Sequence, residues 1–317
     1  MRKGKPIYVE TVIEADMETL WRHTQTPGLH EQWDLRFSEI AYLPKAPEAR
    51  VQAFRYATHI GFGLNIGGTG RAAAAKEGQD GSRVSALRFA SDDPRSLIRS
   101  GAGYWRYVPL PDGKLAFATR YDYDTRFGAL GRLFDRAVFR PLFGWATAWS
   151  FDALKLWLER GIAPALSLRQ TLTHALSVLA LASCWIYEGL APKMLHPASG
   201  ELALMQAAGW FPGREEQALF ALGAAELLIG AAVVRWHRRG WTFGAQAILL
   251  ILLTAAGAAA QPSLMNAPFG PLTLALPMLA LSGIAAGTAA GLPRAGNCRR
   301  KPATPERRGG NRDAVHL

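Results

Sequence analysis

The chain is 317 residues long, 49% hydrophobic, and carries 36 Lys/Arg against 25 Asp/Glu for a net charge of +11. Its two cysteines, Cys184 and Cys298, form no Cys-x-x-Cys, which excludes a disulfide framework and a dithiol redox site. Positive charge beyond residue 170 sits in short segments beside apolar runs, a pattern that membrane topology explains, so no nucleic-acid partner is expected.

Residues 1–169 hold 24 Lys/Arg and 18 Asp/Glu. The first ten residues lack an apolar core of signal-peptide length, so this half is expected to fold in the cytoplasm. Residues 7–13 read as a strand, and Asp16 is placed to cap a helix over 17–24 that ends before Pro27. Stretches rich in aromatic and β-branched residues predict strands at 36–42, 51–59, 64–73, 83–90, 101–109 and 114–123. Pro111-Asp112-Gly113 marks a hairpin turn between the last two. From Phe127 the period becomes helical, with a break at Pro141 and a second helix to about Gly161. The sum is an α+β helix-grip domain over residues 1–165, a curved antiparallel sheet around a long C-terminal helix with a cavity between them. Trp33, His59 and Trp105 are its candidate ligand-binding residues.

Two other patterns in this half carry less chemistry than they suggest. The glycine-rich run from Gly61 to Gly70 lacks the strand–turn–helix frame and the later acidic residue of a dinucleotide site, and reads as a glycine-softened strand or bulge. His59 has no second His, Cys or carboxylate at ligand spacing, so no metal is expected. Arg132, Arg136 and Arg140 stand at i, i+4 and i+8 of the helix that starts near Phe127. This is either an ordinary solvated basic face or a face that lies on anionic headgroups.

Leu20-Trp21 in the first helix, the run from Trp33 to Phe37, and Phe139-Arg-Pro-Leu-Phe-Gly-Trp-Ala-Thr-Ala-Trp-Ser-Phe-Asp152 before the last helix resemble the START-like (SRPBCC) superfamily of helix-grip domains over roughly residues 5–162. That superfamily includes polyketide cyclases and lipid carriers. It has no universal catalytic motif, so the resemblance implies the fold and a lipophilic ligand, and no catalytic residue is assigned.

Four apolar runs long enough to span a bilayer follow, at about 171–192, 217–236, 241–261 and 268–292, and predict an all-α four-helix transmembrane bundle over 166–292. The connection Arg235-Trp-His-Arg238-Arg239-Gly is short and basic, as is the segment after span four, which places both termini in the cytoplasm and the bundle in the inner membrane. Spans three and four are rich in Ala and Gly, which predicts close helix approach there. Residues 293–317 are expected to form a basic, disordered tail. Glu188 and Glu226 lie inside apolar runs, and with Lys193 they form a candidate intramembrane polar site. Glu188 reads as an interfacial anchor paired with Lys193. Glu226 is either a protonated core residue or part of a site for a proton, an ion or a quinone headgroup, sharing a network with Thr254.

The run from Trp185 to Lys193, followed by a loop containing Glu201, resembles the first-span signature of the DoxX-like family of four-helix membrane proteins over roughly 168–292. The resemblance implies ties to membrane redox processes, with a membrane redox complex as partner and a quinone as the one cofactor to consider. The expected function is a membrane-tethered module that binds a lipid, isoprenoid or quinone. The alternatives are a cyclase- or hydratase-type enzyme in the helix-grip cavity, or an assembly subunit of a larger complex.

Overall fold

A computed structural model describes residues 5–45, 51–61 and 63–302. The chain divides into two compact units, the first made of the residues up to Ala165 together with those from Pro293 onward, the second of Leu166–Leu292.

The first unit is built on β1 (Ile7–Ile13), α1 (Met17–Gln25), α2 (Pro27–Trp33), β2 (Glu39–Tyr42), β3 (Val51–Gly61), β4 (Leu64–Ala73), β5 (Lys76–Glu77), β6 (Arg83–Ala90), β7 (Ile98–Pro109), β8 (Leu115–Thr125), α3 (Gly128–Phe134) and α4 (Arg140–Arg160). The strands form one antiparallel sheet in the order β1-β8-β7-β6-β4-β3-β2, with β5 paired to β6. Asp16 caps α1 by accepting from the Thr19 amide at 2.8 Å. Pro27 does not simply end that helix: it occupies the first turn of α2, where its missing N–H costs nothing.

Alternation along the strands places the core. Ile7, Val9 and Ile13 of β1 and Leu115, Phe117, Tyr121 and Tyr123 of β8 turn inward against Ala148, Phe151 and Leu154 of α4. The Phe117 and Phe151 rings stack with centroids 4.5 Å apart, which joins sheet to helix. The glycine-rich run becomes β4. Gly68 and Gly70 stand opposite Tyr56 and Phe54, whose rings lie over the bare backbone where any Cβ would overlap them.

The expected break at Pro141 takes another form. A π-helical turn, Asp135–Phe139, joins α3 to α4, and Pro141 enters in the first turn of α4. Proline cannot donate to the i−4 carbonyl and its ring crowds it, and the wider turn relieves both conflicts without ending the helix.

The expected disorder after Pro293 does not hold for the described residues. The Arg294 amide donates to Asp152 Oδ2 at 2.7 Å, Asn297 Nδ2 donates to the same carboxylate at 3.0–3.1 Å, and Cys298 Sγ lies 3.3 Å from the Ala148 carbonyl. Arg299 pairs with Glu10 of β1 through two backbone hydrogen bonds of 2.8 and 3.0 Å. The segment therefore covers the outer edge of β1, whose unpaired backbone groups gain partners. Residues 303–317 lie outside the described residues.

The second unit contains α5 (Pro164–Leu190), α6 (Glu201–Ala207), α7 (Glu215–Arg235), α8 (Gly240–Ala260) and α9 (Pro271–Thr288). Four helical stretches, Pro164–Leu195, Glu215–Arg235, Gly240–Ala260 and Pro271–Thr288, are long and apolar enough to cross a membrane. Their outer surfaces present Leu172, Leu176, Phe220, Leu228, Ile248 and Leu276, as lipid-facing helices do. α8 and α9 do lie close together, as expected, but the tightest glycine contact between helices is elsewhere. A Cβ on Gly189 of α5 or Gly223 of α7 would strike the other's carbonyl at 2.5–2.7 Å, whereas Gly257, Gly283 and Gly287 have open space in that direction. Inside, Trp185 Nε1 donates to Gln246 Oε1 at 2.8 Å and Gln246 Nε2 to Ser282 Oγ at 3.2 Å, tying α5, α8 and α9 together.

Candidate functional site

In the first unit, a cavity of about 330 Å³ lies between the sheet and the first half of α4. Phe54, Tyr56, Thr58 and Ile60 of β3 line one wall. Trp105 of β7 and Thr119 and Tyr121 of β8 form the floor, and Phe139, Leu142, Phe143 and Ala146 close it from the helix side. The size lies at the lower end of the range for sites that enclose a small ligand.

Trp105 stands in the cavity lining. Trp33 stands one layer behind it: the two ring centroids are 6.0 Å apart, and the Trp33 indole donates to the His23 carbonyl at 3.0 Å. His59 is not a liner. The strand alternation that turns Tyr56, Thr58 and Ile60 toward the cavity sends His59 to the opposite face, where it is exposed.

Sequence inspection missed the polar group in the wall. Asp34, which ends α2, takes Arg36 in a bidentate pair, with Nε at 2.8 Å from Oδ1 and Nη2 at 2.6 Å from Oδ2. His30 Nε2 stands 3.0 Å from the same Oδ2, and the Arg36 amide donates to Oδ1 at 3.1 Å. Burial alone would raise the Asp34 carboxyl, but the Arg36 charge and the hydrogen bonds from Arg36 and His30 outweigh it and hold it well below the usual carboxylate range. The Arg36 guanidinium also lies over Tyr121, 5.3 Å from the ring centroid. Burial pushes the Tyr56 phenol up to about 12, so it enters the lining as a neutral hydroxyl. The visible signal was an Asp-x-Arg directly after a helix of aromatic and His residues, but spacing alone does not tell a buried pair from a surface one.

The three arginines near α3 do not act together. Arg132 and Arg136 are exposed. Arg140 is held by Asp135 at 2.8 Å and Asp122 at 3.0 Å, with its guanidinium 4.4 Å from the Tyr123 centroid. The π-helical turn takes up one more residue than an α-turn and so rotates Arg140 inward, off the face that regular helical spacing implies. Around Arg132 and Arg136 lie the exposed side chains of Phe127, Leu130, Leu133, Phe134, Val138, Leu142 and Trp145.

In the second unit, a π-helical turn at Ala191–Leu195, containing Pro192, follows α5 and carries Lys193 into the interior. Its Nζ lies 2.9 Å from Glu226 Oε2 and 3.0 Å from Glu201 Oε1, and donates to the Glu188 backbone carbonyl at 3.2 Å. The Lys193 and Glu226 side chains are only 4% and 5% exposed. Their contact is an ion pair enclosed in an otherwise apolar interior. The lysine thus engages the Glu226 and Glu201 carboxylates, not the carboxylate of Glu188 as its spacing suggests. Thr254 does not join them: its hydroxyl donates to its own helix at Leu250. The paired glycines Gly189 and Gly223 let α5 and α7 meet closely enough for this ion pair.

The sequence model of the DoxX-like family matches residues 182–283. The chain is 48% identical over 189 residues to the uncharacterized membrane protein YndG of Bacillus subtilis (strain 168), which covers 60% of this chain and 70% of that protein. Among solved structures, a START superfamily protein from Mycobacterium smegmatis is 15% identical, with 50% of this chain and 100% of that one covered and a TM-score of 0.35. A STAR-related lipid transfer protein from Xanthomonas axonopodis is 15% identical (48% and 85% covered, TM-score 0.37), and the Zhui aromatase/cyclase from Streptomyces sp. R1128 is 14% identical (47% and 95% covered, TM-score 0.32).

Proposed function

Given that this chain belongs to the family of the Bacillus subtilis membrane protein YndG and carries a DoxX-like membrane domain, we propose that it is a membrane-tethered module that takes a lipophilic small molecule into the cavity of its N-terminal unit. The observation that carries this is the cavity, whose walls are mostly aromatic and aliphatic side chains in a domain already attached to membrane-spanning helices. Transfer from bilayer to cavity keeps an apolar molecule out of water, which is the favourable direction for such surface.

The flank from Phe127 to Trp145 supports the same reading. Exposed apolar side chains set among Arg132 and Arg136 suit the interface of an anionic leaflet, and each arginine near the surface adds about 1 kcal/mol. Leu142 belongs both to this flank and to the cavity lining, which supports the flank as the entrance. Both termini face the cytoplasm of an inner membrane. The basic connection after α7 favours this side. The grouping of the segment after α9 with the unit that precedes α5 supports the first span starting and the fourth ending on one side.

In the bundle, Lys193, Glu226 and Glu201, with the Glu188 backbone carbonyl, form a polar site suited to a proton or a quinone headgroup. A second reading, an enzyme acting in the same cavity, draws on His30, Asp34 and Arg36 in the wall. Extraction of full-length protein purified from membranes, followed by chromatography and mass spectrometry, tests the proposal. The expected result is about one lipophile per chain, unchanged on incubation and absent from the Ala146→Trp variant, whose indole fills the cavity. Chemical conversion of the molecule would favour the enzyme, and equal recovery from the variant would rule out the cavity.

A further inference from the structure

This inference rests on the cavity being a ligand site and concerns what it accepts. Among the described residues that line it, Arg36 is the one Asp, Glu, Lys or Arg side chain. Its charge is already compensated, since Asp34 meets the guanidinium edge with two hydrogen bonds of 2.6 and 2.8 Å and both side chains are buried. The guanidinium also lies 5.3 Å from the Tyr121 centroid and 5.5 Å from that of Phe37. His30 needs no charge to donate Nε2–H to Asp34.

An arginine joined edge-on to a carboxylate presents a dipole to the cavity, and a dipole's field falls off faster than that of a free charge. A carboxylate or phosphate entering such a space would lose its hydration and meet no counter-charge. The remaining lining polar groups are neutral donors and acceptors, such as Gln25, Ser85, Thr119 and the phenols of Tyr42 and Tyr56. We infer that the cavity selects an uncharged lipophile bearing a hydroxyl or carbonyl group and rejects fatty-acid anions and other anionic lipids, with Asp34 maintaining this selectivity by compensating the Arg36 charge.

The test uses full-length protein in detergent and a matched pair of probes, tetradecan-1-ol and tetradecanoic acid, at mildly alkaline pH where the acid is ionised. Specific binding is the difference between the native chain and Ala146→Trp, which removes the contribution of partition into the micelle. The native protein should hold the alcohol at least about tenfold more tightly than the acid. Asp34→Asn bares the Arg36 charge and should move the ratio toward the acid by about tenfold or more. The double variant Asp34→Asn/Arg36→Met leaves no charge in the wall and should again prefer the alcohol, and Asp34→Ser, which also leaves Arg36 uncompensated, carries the comparison if Asp34→Asn does not fold. Tighter binding of the acid by the native protein, or an unchanged ratio in folded Asp34→Asn, would overturn the inference while leaving the cavity as a ligand site. Failure of both probes to bind above Ala146→Trp would instead overturn the ligand site itself.

Discussion

At the scale of single residues, the two units meet the same problem in different solvents, a cation buried with carboxylate partners. Lys193 and Glu226 are mutually compensating, and removing one leaves the other's charge in an apolar interior. Lys193→Met should therefore destabilise the bundle by about 3 kcal/mol or more, read from thermal unfolding in detergent, and Lys193→Met/Glu226→Gln should recover much of the loss. Equal losses in the single and double variants would show that the lysine acts through packing alone. In the first unit, Asp34 titrates below its unfolded value of about 4. Its contribution to stability is full above that value and drains away as pH falls below it, because the unfolded carboxyl then takes up a proton that the folded one resists. Acid unfolding followed by tryptophan fluorescence should shift accordingly, with a shallower slope below about pH 4 in Asp34→Asn.

At the scale of elements, two π-helical turns, each with a proline beside or within it, decide which charges face where. One sends Arg140 into a pair with Asp135 and Asp122, and the other sends Lys193 to Glu226. Regular helical spacing put Arg140 on the wrong face, and Lys193 was expected to pair with the wrong carboxylate, because the wider turn rotates everything after it. The returning segment makes a separate prediction. Burial, followed by the Asp152 charge, pushes the Cys298 thiol up to about 12, so in a Cys184→Ala background it should resist maleimide at neutral pH. Asn297→Ala removes both side-chain hydrogen bonds to Asp152 and should speed labelling by about tenfold, equivalent to loosening the segment by roughly 1.4 kcal/mol. Rapid labelling of the native chain would mean the segment does not stay docked. Its packing was not legible in the sequence because Arg, Asn and Cys between Gly and Pro carry no periodicity, and their partners stand about 140 residues or more away.

At the scale of the whole molecule, the division near residue 166, the antiparallel sheet with its closing helix and the four apolar helices were all legible. Each rests on a local signal that repeats many times: alternation, aromatic content or a long apolar run. The candidate site was legible only in part. Trp105 announced itself by size and strand position, but the inward face of β3 depends on a register that shifts at a bulge between His59 and Gly61. The Asp34–Arg36 pair depends on tertiary burial that two residues of spacing cannot reveal. The claim that joins these parts is that the N-terminal cavity holds a lipophile drawn from the membrane to which the protein is anchored. An experimental density map of the full chain purified from its native membrane tests it most directly. Elongated density for one apolar molecule is expected among Trp105, Tyr121 and Phe143, with its polar end toward neutral side-chain groups. A cavity filled only with ordered water, or closed by collapse of α4 onto β7 and β8, would contradict it.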